Sequence, residues 1–254
     1  MSKNLCIIQA RVGSTRLPKK VLKEIDGISL LEYEVQRVRL AKKIDKIVIA
    51  TTINQEDDEI QNLCQKIGVD CFRGSIDDVL DRYFQCSSNY PEYSNIVRLT
   101  GDCPLVDPVI IDQVVDFFEQ GGYDYASNVL KETFPDGMDV EIFKKEVLKQ
   151  AAEESNLPSD REHVNEFILR SDQFKKGNFV ASKDHSSYRL TIDDQRDFEV
   201  IEFLIKRSQI SDNYQHYIYL LDQNPEIKAK NSAIKRNEGM LKSWEKDKLF
   251  IKNN

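Results

Sequence analysis

The chain has 254 residues, of which 40% are hydrophobic and 31% charged, a mixture that can bury a core and excludes disordered and collagen-like classes. Its 36 Lys and Arg against 43 Asp and Glu leave a formal net charge of −7, so no nucleic-acid partner is expected, because polyanion binding needs a basic face. No stretch approaches the ~20 apolar residues of a membrane span, and the apolar run Leu5–Ile8 is too short for a signal peptide, so a cytoplasmic protein without a membrane partner is expected.

The first half alternates short β-rich runs with helical patterns. Leu5–Gln9 reads as a buried strand, and Ile28, Leu31, Val35 and Val38 then share one helix face. Lys46–Thr51 is a second strand and Gln55–Ile67 a helix whose acidic start, Glu56-Asp57-Asp58-Glu59, suits a helix N-terminus. Asp70–Phe72 is a third strand, Val79, Leu80, Tyr83 and Phe84 mark a helix, and Asn95–Leu99 is a fourth strand. Pro108 opens a helix that Gly121-Gly122 closes. This alternation predicts an α/β fold with a mostly parallel, twisted sheet and helices on both faces, its ligand at the carboxyl ends of the strands. The second half, a small elaboration, is less regular. Strands are expected over Met138–Phe143, Phe179–Ala181 and Tyr188–Ile192, and helices over Lys144–Glu154, Arg161–Arg170, Phe198–Lys206 and beyond Ser208. No linker or repeat divides the chain, so residues 1–254 are read as one domain.

The five cysteines, Cys6, Cys64, Cys71, Cys86 and Cys103, are odd in number and form no C-x-x-C pair, which reads as reduced thiols rather than a disulfide or zinc framework. Cys103, beside an acid, is the one candidate for a reactive thiol.

Gln9–Lys20 follows the first strand directly. It holds the cations Arg11, Arg16, Lys19 and Lys20, one glycine, two hydroxyls and no acid. Such a loop suits a polyphosphate, although a solvated basic loop has the same composition, and it is neither a Walker A loop nor a G-x-G-x-x-G fingerprint. Thr100-Gly101-Asp102-Cys103-Pro104 follows the fourth strand and brings an acid to the same sheet edge, where it suits Mg²⁺ on a nucleotide or a simple turn.

Ile8-Gln9-Ala10-Arg11-x-Gly13-Ser14-x-Arg16-Leu17-Pro18-x-Lys20 resembles the signature loop of the cytidylyltransferases that activate acidic sugars, the CMP-3-deoxy-manno-octulosonate and CMP-N-acylneuraminate synthetases. The similarity is greatest to the spore-coat polysaccharide biosynthesis branch. It continues, in order, at Thr51-Thr52, Phe72–Ser75, Asp78–Tyr83, Arg98–Leu105, Asp139-Val140-Glu141, Arg161–Val164 and Asn237-Glu238-Gly239. The resemblance implies a nucleotide-diphospho-sugar-transferase-like domain, often a homodimer, that moves CMP from CTP to a sugar or acidic-sugar acceptor and releases pyrophosphate.

Residue by residue, the resemblance implies that Arg16 and Lys20 offset charge on the departing phosphates and that Asp102 holds Mg²⁺. Ala10, Arg11, Gly13, Ser14, Arg73, Arg82 and Gly101 would then line the nucleotide pocket. A second metal-binding acid aligns with Asp193, although Thr191 stands where neuraminate synthetases carry the first Asp of an Asp-x-Asp pair. Asp194 is the better cap for the helix that follows. Asp139 and Glu141 alternate with apolar residues and so share one strand face, where they orient acceptor hydroxyls or are ordinary exposed acids. Arg161 and His163 contact the acceptor or a dimer partner, or the imidazole is structural. Within the class, another nucleoside triphosphate such as GTP, or a sugar 1-phosphate acceptor, stays open. A related glycosyltransferase would hold its metal with Asp-x-Asp, which is absent. A non-catalytic nucleotide-binding protein would not need Arg16, Lys20, Asp102 and Asp193 intact.

Overall fold

The computed structural model of the protein describes residues 2–236 and 238–253. In chain order its elements are β1 (Asn4–Gln9), β2 (Glu24–Ile25), β3 (Ile28–Ser29), α1 (Leu30–Val38), β4 (Lys46–Thr52), α2 (Asp58–Ile67), β5 (Asp70–Gly74), α3 (Val79–Ser88), β6 (Asn95–Thr100) and α4 (Pro108–Gly121). There follow β7 (Tyr125–Ser127), β8 (Glu141–Lys144), α5 (Lys145–Glu154), α6 (Pro158–His163), α7 (Glu166–Arg170), β9 (Lys176–Asn178), α8 (Gln195–Ile205), α9 (Tyr214–Gln223), α10 (Pro225–Lys228) and α11 (Glu238–Asn253). The Asn237-Glu238-Gly239 motif lies outside what is described, Asn237 entirely and the other two in their side chains.

Seven strands form one sheet in the order β5-β4-β1-β6-β8-β7-β9. β5, β4, β1 and β6 are parallel, β8 runs antiparallel to β6 and β7, and β9 is parallel to β7. The parallel half is the expected α/β arrangement. Along β1 the side chains divide strictly: Cys6 and Ile8 enter one apolar core with α1, α4, α8 and α9, and Leu5 and Ile7 enter a second with α3 and α5. That alternation covers both faces of the sheet. The order also reverses beside β1, whose chain continues to β4 on one side while β6 pairs on the other. The helices that follow β1 and β6, α1 and α4, cover the same face, and the loops leading to them line one crevice at the carboxyl ends of the two strands.

Local chemistry sets the boundaries. Asp78 caps α3 by accepting from Asp81 N at 2.8 Å, Asp107 caps α4 ahead of Pro108, and Gly122 closes α4 in the left-handed region at φ 58°. Asp26-Gly27, both at positive φ, makes the tight hairpin turn between β2 and β3.

Several second-half expectations need correction. The strand expected over Met138–Phe143 begins only at Glu141, because the Asn128 side chain takes the hydrogen bonds of Met138 O (2.7 Å) and Val140 N (2.9 Å) that a neighbouring strand would take. Tyr188–Ile192 is no strand: it makes one isolated bridge, Asp136 to Arg189, while Leu190 N donates to Asp136 O and Ile192 N to Asp102 O. Gly137 (φ 99°) permits that approach, since a Cβ there would lie 2.6 Å from the Leu190 carbonyl. The strand expected over Phe179–Ala181 lies earlier, at Lys176–Asn178. The helix expected over Arg161–Arg170 is broken at Val164, which sits at φ 68°. Helices beyond Ser208 appear as expected.

One buried acid stands apart. Glu34 of α1 is fully buried and neither carboxylate oxygen has a hydrogen-bond partner. Burial, helped by the charge of Asp102, pushes its pKa well above the ordinary value. A raised carboxyl favours the folded state below the unfolded pKa and loses that advantage as pH climbs toward the folded value. The variant Glu34→Gln should therefore gain on the wild type as pH rises, by about 1.4 kcal/mol per unit until the folded pKa is passed. Denaturant unfolding between pH 5 and 9 measures this. A constant difference between the two proteins would contradict it.

Candidate active site

The crevice holds a cavity of about 850 Å³. The loop after β1 forms one wall. Ala10, Val12, Leu17 and Val21 are buried against the core, and Ala10 and Val21 line the cavity together with Arg11, Gly13, Ser14, Thr15, Arg16 and Lys20. Asp57 fixes the loop from behind: its carboxylate accepts from Val12 N at 2.7 Å and from Thr52 N at 3.1 Å, and it bonds the Thr52 hydroxyl. In the sequence Asp57 was one of four acids at a helix start, and nothing there separated it from its neighbours.

Lys20 is the centre of the site. Its Nζ donates to the Ile192 carbonyl at 2.8 Å and to Asp193 Oδ1 at 3.1 Å, and lies 3.4 Å from Asp102 Oδ2. Arg16 Nη2 approaches the same Asp193 oxygen at 3.1 Å. Burial opposes the Lys20 charge, but Asp102 and Asp193 outweigh it and the ammonium's pKa is raised. The Asp193 carboxyl is lowered, since Lys20, Arg189 and Arg16 together overcome the effect of its burial. Four residues that the sequence proposed for one site thus meet, Lys20 and Asp193 across 173 residues of chain.

Asp102 is held by its backbone. Its carbonyl accepts from Ile192 N at 2.8 Å and from Thr191 Oγ1 at 3.0 Å. Thr191, which stands in place of an acid, therefore stitches the two acidic segments together. Gly101 permits close passage to the first loop, donating to Gln9 O at 2.8 Å where a Cβ would press on Ala10. Asp194 caps α8 as expected, accepting from Arg196 N at 2.8 Å, which leaves Asp193 to face the cavity.

Among the described residues no group of three or more His, Cys, Asp or Glu is disposed to hold a metal ion. Asp102 and Asp193 instead offer a pair of carboxylates converging on one cation. Such a donor set suits a hard divalent ion that takes its other ligands from phosphate and water.

The rest of the cavity carries more cations than acids, Arg11, Arg82, Arg98, Arg161 and Lys246 against Asp77 and Glu162. Arg82 is buried, and its Nε and Nη1 have no hydrogen-bond partner, so burial lowers its pKa. An uncompensated guanidinium lining a cavity fits an anion. Arg98 also lines it but is neutralised by Glu141, with Gln9 Oε1 at 3.3 Å. Arg98 opens the family motif Arg98–Leu105 but was given no site role; its charge between the apolar Val97 and Leu99 was the signal for one. Arg161 and His163 of α6 line the far end with Lys246 of α11. Arg161 lies 3.5 Å from Asp78, and His163 Nε2 is 2.9 Å from Ser243 Oγ. Burial lowers the His163 pKa and keeps the imidazole neutral near pH 7.

Three expected site residues do not reach the cavity. Arg73 instead ties the 52–61 segment, through the Thr52 and Asn54 carbonyls, Asp58 and Gln61. Asp139 pairs with Arg236 at 2.5 Å. Glu141 is buried on Arg98, Tyr125 and Asn165, so the two acids share no free strand face. Cys103 is buried, and burial together with Asp102 pushes its thiol pKa up, which disfavours the reactive thiolate. All five cysteines are free.

Residues 5–230 match a family model described as cytidylyltransferase. The chain is 35% identical over 245 residues to the spore coat polysaccharide biosynthesis protein SpsF of Bacillus subtilis, covering 92% of this chain and all of that one. It is 36% identical over 236 residues to an uncharacterized protein of Methanocaldococcus jannaschii, covering 91% and 95%. Among solved structures, a cytidylyltransferase from Leptospira borgpetersenii superposes with TM-score 0.86 at 34% identity, covering 93% of this chain and all of that one. CMP:2-keto-3-deoxy-manno-octonic acid synthetase complexed with CTP superposes with TM-score 0.63 at 16% identity over 81% of this chain and 99% of its own, a likeness of fold alone.

The rear support of the loop is testable. Asp57→Ala strips the acceptor from two buried N–H groups, each worth about 1–3 kcal/mol when left unpaired. Amide exchange at Val12 should accelerate by at least about tenfold relative to amides of β1. Unchanged protection at Val12 would show that the loop is held by its apolar residues alone.

Proposed function

The chain belongs to the cytidylyltransferase family, and on that premise we propose that it transfers CMP from CTP to an acidic-sugar acceptor, releasing pyrophosphate, as a Mg²⁺-dependent cytoplasmic homodimer serving surface polysaccharide synthesis. The observation that carries the reading is the juxtaposition of Arg16 and Lys20 with Asp102 and Asp193 at the carboxyl ends of β1 and β6. Relatives named for 3-deoxy-manno-octulosonate and its 8-amino analogue supply the acceptor class.

In this reading the triphosphate lies along the loop after β1. Phosphoryl transfer asks a protein mainly for positioning and charge neutralisation. Arg16 and Lys20 hold the β- and γ-phosphates, and as the α-phosphorus–oxygen bond breaks they offset the charge gathering on pyrophosphate. Ala10, Arg11, Gly13 and Ser14 present loop backbone and side-chain donors to the nucleotide, and Arg82 supplies a cation with free N–H groups. Asp102 and Asp193 would hold Mg²⁺, which supplies Lewis-acid neutralisation of phosphate oxygens when bound. Arg161, His163 and Lys246 face the acceptor from the opposite end. An acidic sugar attacks through a hydroxyl, whose proton passes to solvent as the bond to the α-phosphorus forms; a sugar 1-phosphate, with its second pKa near ~6, has no such proton to lose. Among the described residues the cavity lining holds no Ser–His–Asp or Cys–His arrangement.

Pyrophosphate release with Mg²⁺, each ribonucleoside triphosphate in turn and a panel of acidic sugars and sugar 1-phosphates tests the reading. Turnover is expected with CTP and an acidic sugar. GTP as the sole substrate would overturn the base assignment, and release of a nucleoside diphosphate from a nucleotide sugar would make the protein a glycosyltransferase. Asp102→Ala should abolish turnover at unchanged thermal stability, and Lys20→Ala should cost roughly 10²–10³ in kcat. Wild-type rates in either variant would remove that residue from the mechanism.

A further inference from the structure

Asp193 is gripped from behind. Its Oδ1 faces Lys20 and Arg16, while Oδ2 accepts from Arg189 Nη2 at 2.9 Å. The same guanidinium donates to Asp197 from Nε and Nη2, at 2.8 and 2.9 Å, and to Asp136 from Nη1 at 2.6 Å. Asp197 is fully buried, and its Oδ2 also accepts the Asp193 backbone N–H at 2.9 Å. One rigid unit therefore fixes both the backbone and one carboxylate oxygen of Asp193. Asn231 closes the rear, donating to Asp197 Oδ1 at 3.0 Å and to the Arg189 carbonyl at 3.2 Å.

We infer that Arg189 is a positioning residue for this site: by tying Asp193 Oδ2 it leaves Oδ1 alone to face the cavity, so that Asp193 meets a divalent cation through a single, pre-oriented oxygen. The inference rests on the reading of Asp193 as a metal ligand given above. A free carboxylate swings about its side-chain torsions and can grip a cation with either oxygen or both. The planar guanidinium fork removes that freedom by meeting three acids at once, and a lysine ammonium has no such geometry. Partners that orient a ligating carboxylate typically set metal affinity within roughly 10- to 100-fold.

The test uses Mn²⁺ as the probe, titrated into protein with CTP and read by the electron paramagnetic resonance signal of the free ion. Wild type, Arg189→Lys and Asp193→Asn are compared, with CTP affinity in EDTA and circular dichroism measured alongside. Arg189→Lys should weaken Mn²⁺ binding roughly 10- to 100-fold while metal-free CTP affinity stays within about twofold. A structural role alone would lower stability and leave Mn²⁺ affinity per folded molecule unchanged. Loss of binding in Asp193→Asn with wild-type binding in Arg189→Lys would overturn the role of Arg189 and leave the ligand reading intact. Full binding in Asp193→Asn would overturn the ligand reading, and the inference with it. Should Arg189→Lys fail to fold, Asn231→Ala keeps every charge and removes only the rear amide. A roughly threefold weaker Mn²⁺ affinity is then expected, and unchanged affinity overturns the inference.

Discussion

Two carboxylates on unrelated segments converge on a single ammonium, and most of the site follows from that. Asp102 and Asp193 repel each other, and a partly buried pair of like charges is held only where a cation stands near both. Lys20 fills that place, and Arg16 leans on one of the two acids. Everything around the trio fixes its members. Thr191 and Ile192 hold the backbone of Asp102, Asp57 holds the loop that carries Lys20, and the Arg189–Asp197 unit holds Asp193. The parallel half of the sheet contributes the starting geometry by opening a crevice beside β1.

The cavity is chemically uneven in a way that suits two substrates of like charge. At the loop end the cations are matched by acids. Toward α3, Arg82 is buried without a partner, whereas Arg98 is fully neutralised by Glu141. The two arginines look equivalent as residue types and each keeps a buried Nε without a partner, yet Arg82 also leaves Nη1 free and bonds no acid, whereas both Nη groups of Arg98 are taken, by Glu141 and Gln9. Burial alone does not distinguish them; the hydrogen-bond partners do.

The sequence made the parallel half of the fold legible because buried strands and amphipathic helices carry strong periodic signals. Arg16, Lys20, Asp102 and Asp193 were legible through the family motifs they stand in, the first three in segments that follow β1 and β6. What stayed hidden depended on contacts between distant segments. Asp57 lay in a run of four acids that looked alike. The Asn128 amide replaced a strand partner, so the alternation of Met138–Ile142 signalled a strand with a free acidic face where a buried ion pair stands. Arg73 sat at the right motif but turned away, captured by carbonyls of the neighbouring segment. Tyr188–Ile192 carried the composition of a strand without a neighbour to pair with.

The wide spacing of the site along the chain bears on the order in which the protein comes into being. Synthesis runs from the N-terminus, and units that can fold begin to do so as they emerge. β1, β4 and β6 and the cationic loop have all been made by residue 100, whereas the helices α4, α8 and α9 that cover one face of the sheet follow. Asp193 comes 173 residues after Lys20, and Asn231, which buttresses its support, later still. A nascent chain therefore holds the strands and the loop before the acid that completes the site has been made, and competence waits on residues 193 and 231.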